Sequence, residues 1–267
     1  MPAVADYWNS VASGPQSPDR EDLWRAHLKE VYQRLRARWR NEGWTEHALK
    51  TDLYDEAISR HHLISLLGGD CRHIVGADVS FETAQAAKQR LEKTWRRWDQ
   101  IAVSDARDQA FKTGSFGEIL SNSTLDHFLS RNELLASLEE LHRIMKQGGL
   151  LIITLDNPQN PVVWIRNRLP YRLLKRFGII PYYMGATLSR SELVRALESK
   201  GFAICDSTVI VHSPRILAIW AGCFIGRLQR EGIKAGFAKL LGFFERLERF
   251  PTRHVTGYYV AVKALKI

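Results

Sequence analysis

Three aspartates follow apolar segments that are typical of buried strands, and their carboxylates are groups that could bind a ligand. Asp52 ends the segment ALKTD, Asp78 ends HIVGAD and Asp105 ends QIAVSD. At the carboxyl end of a strand in a parallel sheet, an aspartate can accept hydrogen bonds from the two hydroxyls of a ribose. We therefore expect Asp78 to bind a ribose and Asp105 to accept a hydrogen bond from an adenine amino group.

A run of polar residues follows the next apolar segment. It reads SNSTLDHF, from Ser121 to Phe128, and includes the adjacent pair Asp126 and His127. Ligands of open parallel sheets bind beyond the carboxyl ends of the strands. These polar residues are therefore expected at the same mouth of the sheet as the three aspartates.

Strand and helix patterns alternate from about Ala48, and these elements must position the polar residues. The predicted strands are ALKTDL, HIVGADVS, QIAVSDA, EILSNS, LLIITLD, AICDSTVIV and VTGYYVAVKAL. The predicted helices between them include EAISRHHLISLL, FETAQAAKQRLEKTWRRW, SRSELVRALESKGF and RNELLASLEELHRIMKQGG, the last closed by Gly148 and Gly149. Such alternation implies right-handed crossovers and a parallel, doubly wound sheet.

Three stretches of the sequence have an order and spacing found in one enzyme family. They are HIVGADVS, then SDARDQAFKTGSFGEILSNSTLDHF, then LLASLEELHRIMKQGGLLIITLDNP. Together they resemble the class I S-adenosylmethionine-dependent methyltransferases, the type 11 group in particular, over about Ala48 to Asp156. The resemblance implies an α/β fold with a Rossmann-like seven-stranded sheet and helices on both faces. The sheet would be mostly parallel, with VTGYYVAVKAL as its one antiparallel strand.

The resemblance also implies a cofactor, S-adenosylmethionine, and a set of residues that would hold it. Asp78 and Val79 would bind the ribose, and Asp105 with Ala106 would bind the adenine. Residues 121–123, which include Ser121 and Asn122, would line the methionine end of the cofactor and the substrate mouth.

The segment LKTDLYDEA departs from the family pattern. The family's first strand usually ends in an acid and then G-x-G-x-G, which lets backbone approach the cofactor closely. Here Tyr54 and Glu56 stand where glycines are usual. Asp52 remains as the acid for the cofactor's ammonium, and a cluster of Lys50, Thr51 and Asp52 could pair with both the ammonium and the carboxylate. We expect the glycine loop to be replaced, with the cofactor site retained.

Two residues past the fourth strand are candidates for a general base. Methyl transfer from a sulfonium depends on in-line positioning and desolvation, and a hydroxyl acceptor is helped by a base. His127 and Asp126 are the candidates, and since adjacent side chains point in different directions, one of them is expected to face the pocket. The alternative is that His127 packs on the sheet at the start of a helix. No group of His, Cys and acids has metal-ligand spacing, so we predict no metal site.

The pattern divides the chain into residues 1–45, a helical extension, and residues 46–267, the methyltransferase domain. Residues 1–20 are expected to be loose, and the helix from Asp22 is expected to expose its basic face to solvent. Segment 158–187 mixes aromatic residues with arginines and is expected to form a lid over the substrate. Segment 213–253 predicts two amphipathic helices, ILAIWAGCFIGRLQ and IKAGFAKLLGFFERLERF. Such a pair could dock on a membrane, form a homodimer interface, cap an apolar pocket or add to the core.

Charge and composition narrow the choice of partners and compartment. The net charge is +9, and from Asn160 onward 18 Lys and Arg stand against 6 Asp and Glu. This favours an anionic partner such as phospholipid, a phosphorylated substrate or nucleic acid, with solubility alone as the alternative. Three scattered cysteines indicate reduced thiols, and neither a signal peptide nor a membrane-spanning segment is visible. We predict a cytoplasmic protein, peripheral on the inner face of the membrane where its acceptor is a lipid.

Our leading hypothesis is a methyltransferase for a small-molecule or lipid-like acceptor, acting at a membrane surface. A nucleic-acid methyltransferase is the second hypothesis. It is disfavoured because no separate RNA-binding module is visible and LDNPQNP is not an N-P-P-Y motif. An inactive scaffold is the third, supported by the missing glycines and opposed by the acids at the strand ends.

Overall fold

Seven strands form a single sheet within the residues that the structure describes. That structure, a computed structural model, describes residues 4–13, 22–40, 43–94, 100–176, 183, 185–228 and 230–267, without the side chain of residue 175. The strands are β1 Thr45–Lys50, β2 Cys71–Asp78, β3 Gln100–Val103, β4 Phe116–Asn122, β5 Met145–Asp156, β6 Phe202–Ile210 and β7 Tyr259–Lys266. Their order across the sheet is β3-β2-β1-β4-β5-β7-β6.

Helices precede, connect and flank these strands. The α-helices are α1 Val4–Ala12, α2 Asp22–Trp39, α3 Tyr54–Ile58, α4 Phe81–Thr94, α5 Arg131–Ile144, α6 Pro161–Arg168, α7 Tyr171–Arg176, α8 Arg190–Glu198, α9 Arg215–Gly226, α10 Glu231–Phe244 and α11 Arg253–Thr256. Short 3₁₀-helices cover Ile64–Gly69, Leu125–His127 and Glu245–Arg249. Helices α5 and α8 each begin with a capping box, formed by Ser130 with Glu133 and by Ser189 with Glu192.

The predicted fold class is confirmed. Strands β1 to β5 pair in parallel, whereas β7 lies antiparallel between β5 and β6. One hydrophobic cluster packs α2, α4, α9 and α10 on one face of the sheet, and a second packs α5 and α8 on the other. Because both faces are covered, the carboxyl ends of β1 to β5 are left as the place where polar side chains can gather.

The helix predicted over EAISRHHLISLL is wrong, because the chain turns in its middle. The first part is the short helix α3, and the second part is the 3₁₀ turn Ile64–Gly69. In the turn between them, the Glu56 carboxylate accepts a hydrogen bond from the Ile64 N–H at 2.8 Å and Ser59 Oγ accepts one from the His61 N–H at 3.0 Å. Side chains that bond to nearby backbone N–H groups compete with helical hydrogen bonds in this way.

The end of the helix predicted over RNELLASLEELHRIMKQGG is also wrong, because Gly148 and Gly149 do not close it. Helix α5 ends at Ile144, and Met145 already has extended backbone and pairs with Phe116. The register then jumps, so that Glu118 pairs with Leu150 and the glycines lie in a bulge of β5. Gly148 has a φ of +71°, which is the left-handed conformation that glycine adopts most readily.

The two expectations for the N-terminal residues are partly wrong. Residues 4–12, expected to be loose, form helix α1. On α2, Arg36 is buried instead of solvated, and its guanidinium lies 2.9 Å and 3.0 Å from the two oxygens of the Glu118 carboxylate. A bidentate arginine of this kind supplies hydrogen bonds and positive charge to the Glu118 carboxylate, which β4 buries inside the protein.

The expected lid and the expected insertion both contain helices. Segment 158–187 contains α6 and α7, while residues 177–182 and 184 of the expected lid lie outside the described residues. Segment 213–253 contains α9, α10 and the start of α11. None of the described helices is long and apolar enough to cross a membrane. The domain boundaries stay predictions.

Candidate functional site

A cavity opens at the carboxyl ends of the first four strands. Its wall contains Asp52 after β1, Asp78 at the end of β2, Asp105 after β3 and His127 after β4. Thr51, Val79 and Ala106 line the same cavity. The fold therefore brings together, in one cavity, residues that the sequence analysis selected because they end or follow different strands.

The Asp78 carboxylate is fixed in position by two backbone N–H groups. Oδ2 accepts a hydrogen bond from the Leu53 N–H at 3.0 Å, and Oδ1 accepts one from the Ser80 N–H at 2.8 Å. Burial raises the pKa of the Asp78 carboxyl above its usual range, and the two N–H groups act against that rise. Each oxygen keeps a lone pair, so the carboxylate can still accept two hydrogen bonds from a diol.

Asp52 is the acid that the segment after β1 contributes to the cavity wall. Its Oδ1 accepts a hydrogen bond from the Tyr54 N–H at 2.6 Å. Burial raises the pKa of the Asp52 carboxyl well above its usual range, the Lys50 ammonium acts against that rise, and the nearby carboxylates of Asp78 and Asp55 add to it. A cationic group brought in by a ligand would compensate this crowding of carboxylates.

The glycine-free segment after β1 is held by a buried ion pair. Lys50 Nζ lies 2.9 Å from Glu56 Oε2, and the two side chains are 1% and 0% exposed. The Lys50 ammonium also donates to the backbone oxygen of Asp52. The expectation that Lys50 would pair with a ligand's carboxylate is therefore wrong, because its ammonium is already engaged inside the protein.

Asp105 is bound by a neighbouring arginine. Arg107 Nη2 donates to Asp105 Oδ2 at 2.6 Å, while its Nε and its backbone N–H donate to Oδ1 at 3.0 Å and 2.9 Å. Burial acts to raise the pKa of the Asp105 carboxyl, but these hydrogen bonds outweigh it and hold the pKa below its usual range. The carboxylate lines the cavity as an anion whose lone pairs are largely occupied.

His127 and Asp126 lie side by side but occupy different surroundings. His127 lines the cavity, with Nδ1 3.3 Å from the Tyr183 carbonyl oxygen and Nε2 3.8 Å from Asp126 Oδ1. Asp126 is buried behind it, where Oδ2 accepts hydrogen bonds from Ser123 Oγ at 2.6 Å and from the Asp156 N–H at 3.0 Å. Burial raises the pKa of the Asp126 carboxyl, and the Asp156 carboxylate adds to the rise.

Ser121 and Asn122 lie behind the cavity wall. Both are buried, and neither lines the cavity. Ser121 Oγ accepts a hydrogen bond from Thr51 Oγ1 at 3.0 Å, so it positions a residue that does line the cavity. Asn122 points to the face of the sheet that carries α2, next to Tyr32 and Thr154.

The first helix covers the cavity, which sequence reasoning missed. Val4 and Trp8 of α1 line it, and the Trp8 ring lies 4.9 Å from the His127 ring in an edge-on arrangement. The Tyr7 hydroxyl accepts a hydrogen bond from the Tyr183 N–H at 2.6 Å, and Ser80 Oγ donates to Asn9 Oδ1 at 2.8 Å. The adjacent aromatic residues Tyr7 and Trp8, in the segment DYWNSVA, are the sequence feature that could have predicted a packed helix here.

Other lining residues were also missed, because they carry no chemical motif. They are Tyr54, Ala77, Thr83, Ser104, Gln109, Thr124, Phe128, Leu129 and Glu133. The apolar lining residues Ala77, Phe128 and Leu129 give a planar aromatic ligand surfaces to pack on, which suits an adenine. Among the described residues, no group of three or more His, Cys, Asp and Glu side chains could hold a metal ion.

One sequence comparison finds a family match inside the chain. Residues 59–153 match the sequence profile of the methyltransferase domain family. The match begins just after the glycine-free segment and includes β2, β3 and β4. No curated protein sequence matches the chain.

Solved structures share the fold over most of their length. One is geranyl diphosphate C-methyltransferase of Streptomyces coelicolor A3(2) in complex with Mg²⁺, geranyl diphosphate and S-adenosyl-L-homocysteine. It is 15% identical, with a TM-score of 0.57 over 89% of this chain and 77% of that one. The N-methyltransferase NodS of Bradyrhizobium japonicum WM9, in complex with S-adenosyl-L-homocysteine, is 13% identical, with a TM-score of 0.50 over 90% and 86%. The [4+2]-cyclase SpnF is 17% identical, with a TM-score of 0.57 over 98% and 92%. At these identities the likeness shows the fold alone.

Proposed function

Since this chain carries a class I S-adenosylmethionine-dependent methyltransferase domain, we propose that it methylates a small, lipid-like acceptor at a membrane surface. S-adenosylmethionine is its cofactor. The observation that carries the proposal is the single cavity in which Asp52, Asp78 and Asp105 meet beside His127. We place the protein in the cytoplasm, peripheral on the inner face of the membrane.

We assign the residues at the carboxyl ends of β1, β2 and β3 to the methionine end, the ribose and the adenine of the cofactor, respectively. Asp78 accepts hydrogen bonds from the two ribose hydroxyls, with Val79 beside it. Asp52 and Thr51 take the ammonium of the methionine end, because both line the cavity and a cation beside Asp52 favours the charged form of its carboxyl. Ala106 packs on the adenine, and the Asp105 carboxylate, most of whose lone pairs are occupied by Arg107, accepts one hydrogen bond from the adenine amino group. Ser121 supports this wall from behind through its hydrogen bond with Thr51.

Little covalent help is needed from the protein, because the cofactor supplies a methyl group that is already activated on a sulfonium sulfur. The chain's own residues orient the acceptor, exclude water and hold a proton. With Nδ1 facing the Tyr183 carbonyl oxygen, the His127 ring is expected to carry its proton on Nδ1, so that Nε2 can take the acceptor's proton. Asp126 lies 3.8 Å from Nε2 and would stabilise the imidazolium that forms.

The surroundings of His127 support an apolar acceptor. Trp8, Phe128 and Leu129 form the wall of the cavity beside it. Beyond β5, the Arg168 guanidinium lies 3.7 Å from the centre of the Trp164 ring, and both side chains are exposed. An aromatic and apolar wall beside His127 suits an apolar acceptor, and the exposed Arg168–Trp164 pair is outside the lining of the cavity.

Calorimetric titration of the full chain with S-adenosylmethionine and with S-adenosylhomocysteine tests the cofactor assignment. We expect binding of both nucleosides in the micromolar range, because three side chains and an apolar wall converge on one cavity. The same titration with adenosine triphosphate is the matched control and should give no heat of binding. A folded protein that binds neither nucleoside would leave the inactive scaffold as the better explanation.

Transfer of label from methyl-labelled S-adenosylmethionine tests the acceptor class and the proposed base. The full chain is incubated with a lipid extract, with the aqueous small-molecule fraction and with RNA from the same cells. We expect label in the lipid fraction, reduced about 100-fold or more by His127→Asn. His47→Asn, which changes a histidine in β1 away from the cavity, should leave the rate unchanged. Label in RNA alone would favour the nucleic-acid methyltransferase, and an undiminished rate in His127→Asn would exclude His127 as the base.

A further inference from the structure

The outer side of α9 carries a stripe of large apolar side chains exposed to solvent. Leu217, Trp220 and Phe224 have i, i+3 and i+7 spacing, which places them on one side of the helix, and Trp220 is 76% exposed. The opposite side is buried, since Gly222 lies against α2 and against Phe237 of α10. The stripe therefore has no role in holding α9 to the rest of the protein.

Helix α10 has the same division into an inner and an outer side. Phe237 and Leu241 are buried, whereas Leu240 and Phe243 are exposed. Helices α9 and α10 pack against each other and against α2. We call five of the exposed apolar residues of the two helices the outer face: Leu217, Trp220, Phe224, Leu240 and Phe243. An exposed apolar set of this size marks an interaction surface more often than a lone exposed leucine does.

Positive charge surrounds the outer face. Segment 213–253 contains eight Lys and Arg against three Glu. Two of the acids are engaged outside the two helices, since Glu245 accepts from the His212 N–H and Glu248 pairs with Arg38, whereas Glu231 pairs with Lys234 of the same helix. Exposed cations with no acid within ion-pair distance, among the residues that the structure describes, are Arg227, Arg230, Lys239, Arg246 and Arg249.

Residues 211–258 connect β6 to β7 and contain the outer face. They leave the sheet at its carboxyl-terminal edge, where the cavity also lies. Strand β6 ends at Ile210, which pairs with Tyr259, and β5 ends at Asp156, which pairs with the same residue. Residues 211–258 therefore begin and end at the carboxyl end of β5. A partner bound there would lie on the side of the sheet where the acceptor enters.

We propose that the outer face docks on the surface of an anionic phospholipid membrane, with Trp220 and Phe224 inserted among the lipids. Aromatic and leucine side chains beside lysines and arginines are the composition of helices that lie in the membrane interface. A second copy of this chain fits less well, because a two-fold contact would oppose two sets of unpaired cations. The proposed function enters only in supplying a reason for docking, namely access to a lipid-like acceptor.

Vesicle flotation of the full chain tests the docking without cofactor or acceptor. The vesicles contain either phosphatidylcholine alone or phosphatidylcholine with phosphatidylglycerol. We expect binding to the anionic vesicles only, weakened at high salt because exposed charges are screened. The double variants Trp220→Ser/Phe224→Ser and Arg227→Gln/Arg230→Gln should each weaken binding at least about tenfold.

Trp44→Ser is the matched control. Trp44 is 74% exposed, much like Trp220, but it precedes β1 at the opposite edge of the sheet. Its loss should leave vesicle binding unchanged, and thermal unfolding should be the same for every variant.

Three results would overturn the docking proposal. They are no binding to anionic vesicles, an equal loss in Trp44→Ser, and a dimer in solution that Trp220→Ser/Phe224→Ser separates. Binding of single-stranded RNA in place of vesicles would likewise replace it. A protein that floats with anionic vesicles but gives no heat with S-adenosylmethionine would keep the docking proposal and lose the proposed enzyme.

Discussion

Replacing Asp78 with alanine is expected to weaken binding of S-adenosylhomocysteine about 100-fold or more, as measured by calorimetric titration. The Asp78 carboxylate is held by the N–H groups of Leu53 and Ser80, which aim its remaining lone pairs into the cavity. Each hydrogen bond from a ligand hydroxyl to a carboxylate contributes about 1.5–3 kcal/mol, so the loss of two corresponds to this factor or more. Asp108→Ala, which removes an exposed carboxylate outside the cavity, is the matched control and should bind normally.

A structural role of Asp78 can be separated from a binding role by changing the ligand. The wild-type protein should prefer adenosine to 2′-deoxyadenosine, since the second lacks one of the hydroxyls that Asp78 accepts from. Asp78→Asn retains an oxygen acceptor for one backbone N–H, and it should lose most of that preference while unfolding at a similar temperature. If Asp78→Asn kept the full preference for adenosine, Asp78 would only hold the loop and the assignment of the ribose site would be wrong.

Replacing Lys50 with methionine is expected to lower the free energy of unfolding by about 3–5 kcal/mol. The substitution keeps the length of the side chain but leaves the Glu56 carboxylate buried without a cation, and desolvation of an unpaired charge is the main penalty. Chemical denaturation, followed by circular dichroism, measures the change. The double variant Lys50→Met/Glu56→Gln should recover much of the loss, because the neutral amide can still accept from the Ile64 N–H.

An exposed pair provides the control for the buried one. The ammonium of Lys234 lies 2.8 Å from the Glu231 carboxylate, against 2.9 Å for Lys50 and Glu56, but Glu231 is 85% exposed. Lys234→Met should change the free energy of unfolding by no more than about 0.5 kcal/mol. Equal effects of Lys50→Met and Lys234→Met would show that the buried pair does not hold the loop.

The sequence was sufficient for the sheet and for the residues at its strand ends. Apolar segments of strand length, each followed by an aspartate, predict both the strand and the side of the sheet on which its last residue lies. Asp52, Asp78 and Asp105 accordingly meet in one cavity. The glycines after α5 were read as a helix stop, because their alternative role in a strand bulge depends on the partner strand β4.

Contacts between distant residues could not be read from spacing. Arg36 and Glu118 are 82 residues apart, and the pattern of α2 gave no reason to separate Arg36 from its exposed neighbours. The hydrogen bond from the Tyr183 N–H to the Tyr7 hydroxyl joins residues 176 positions apart, so the placement of α1 over the cavity depended on tertiary structure. The six-residue separation of Lys50 and Glu56 matches neither a strand nor a helix face, which is why their ion pair was missed.

The Lys50–Glu56 pair also constrains how this loop could have arisen. A glutamate at position 56 without the lysine, or the lysine without the glutamate, loses the ion-pair partner of a buried charge, so either substitution alone is expected to destabilise the fold. A glycine-bearing ancestor would have to acquire a neutral polar side chain at one of the two positions before it acquired either charge. Related chains should therefore carry both charges or neither, and positions 50 and 56 should change together when such sequences are aligned.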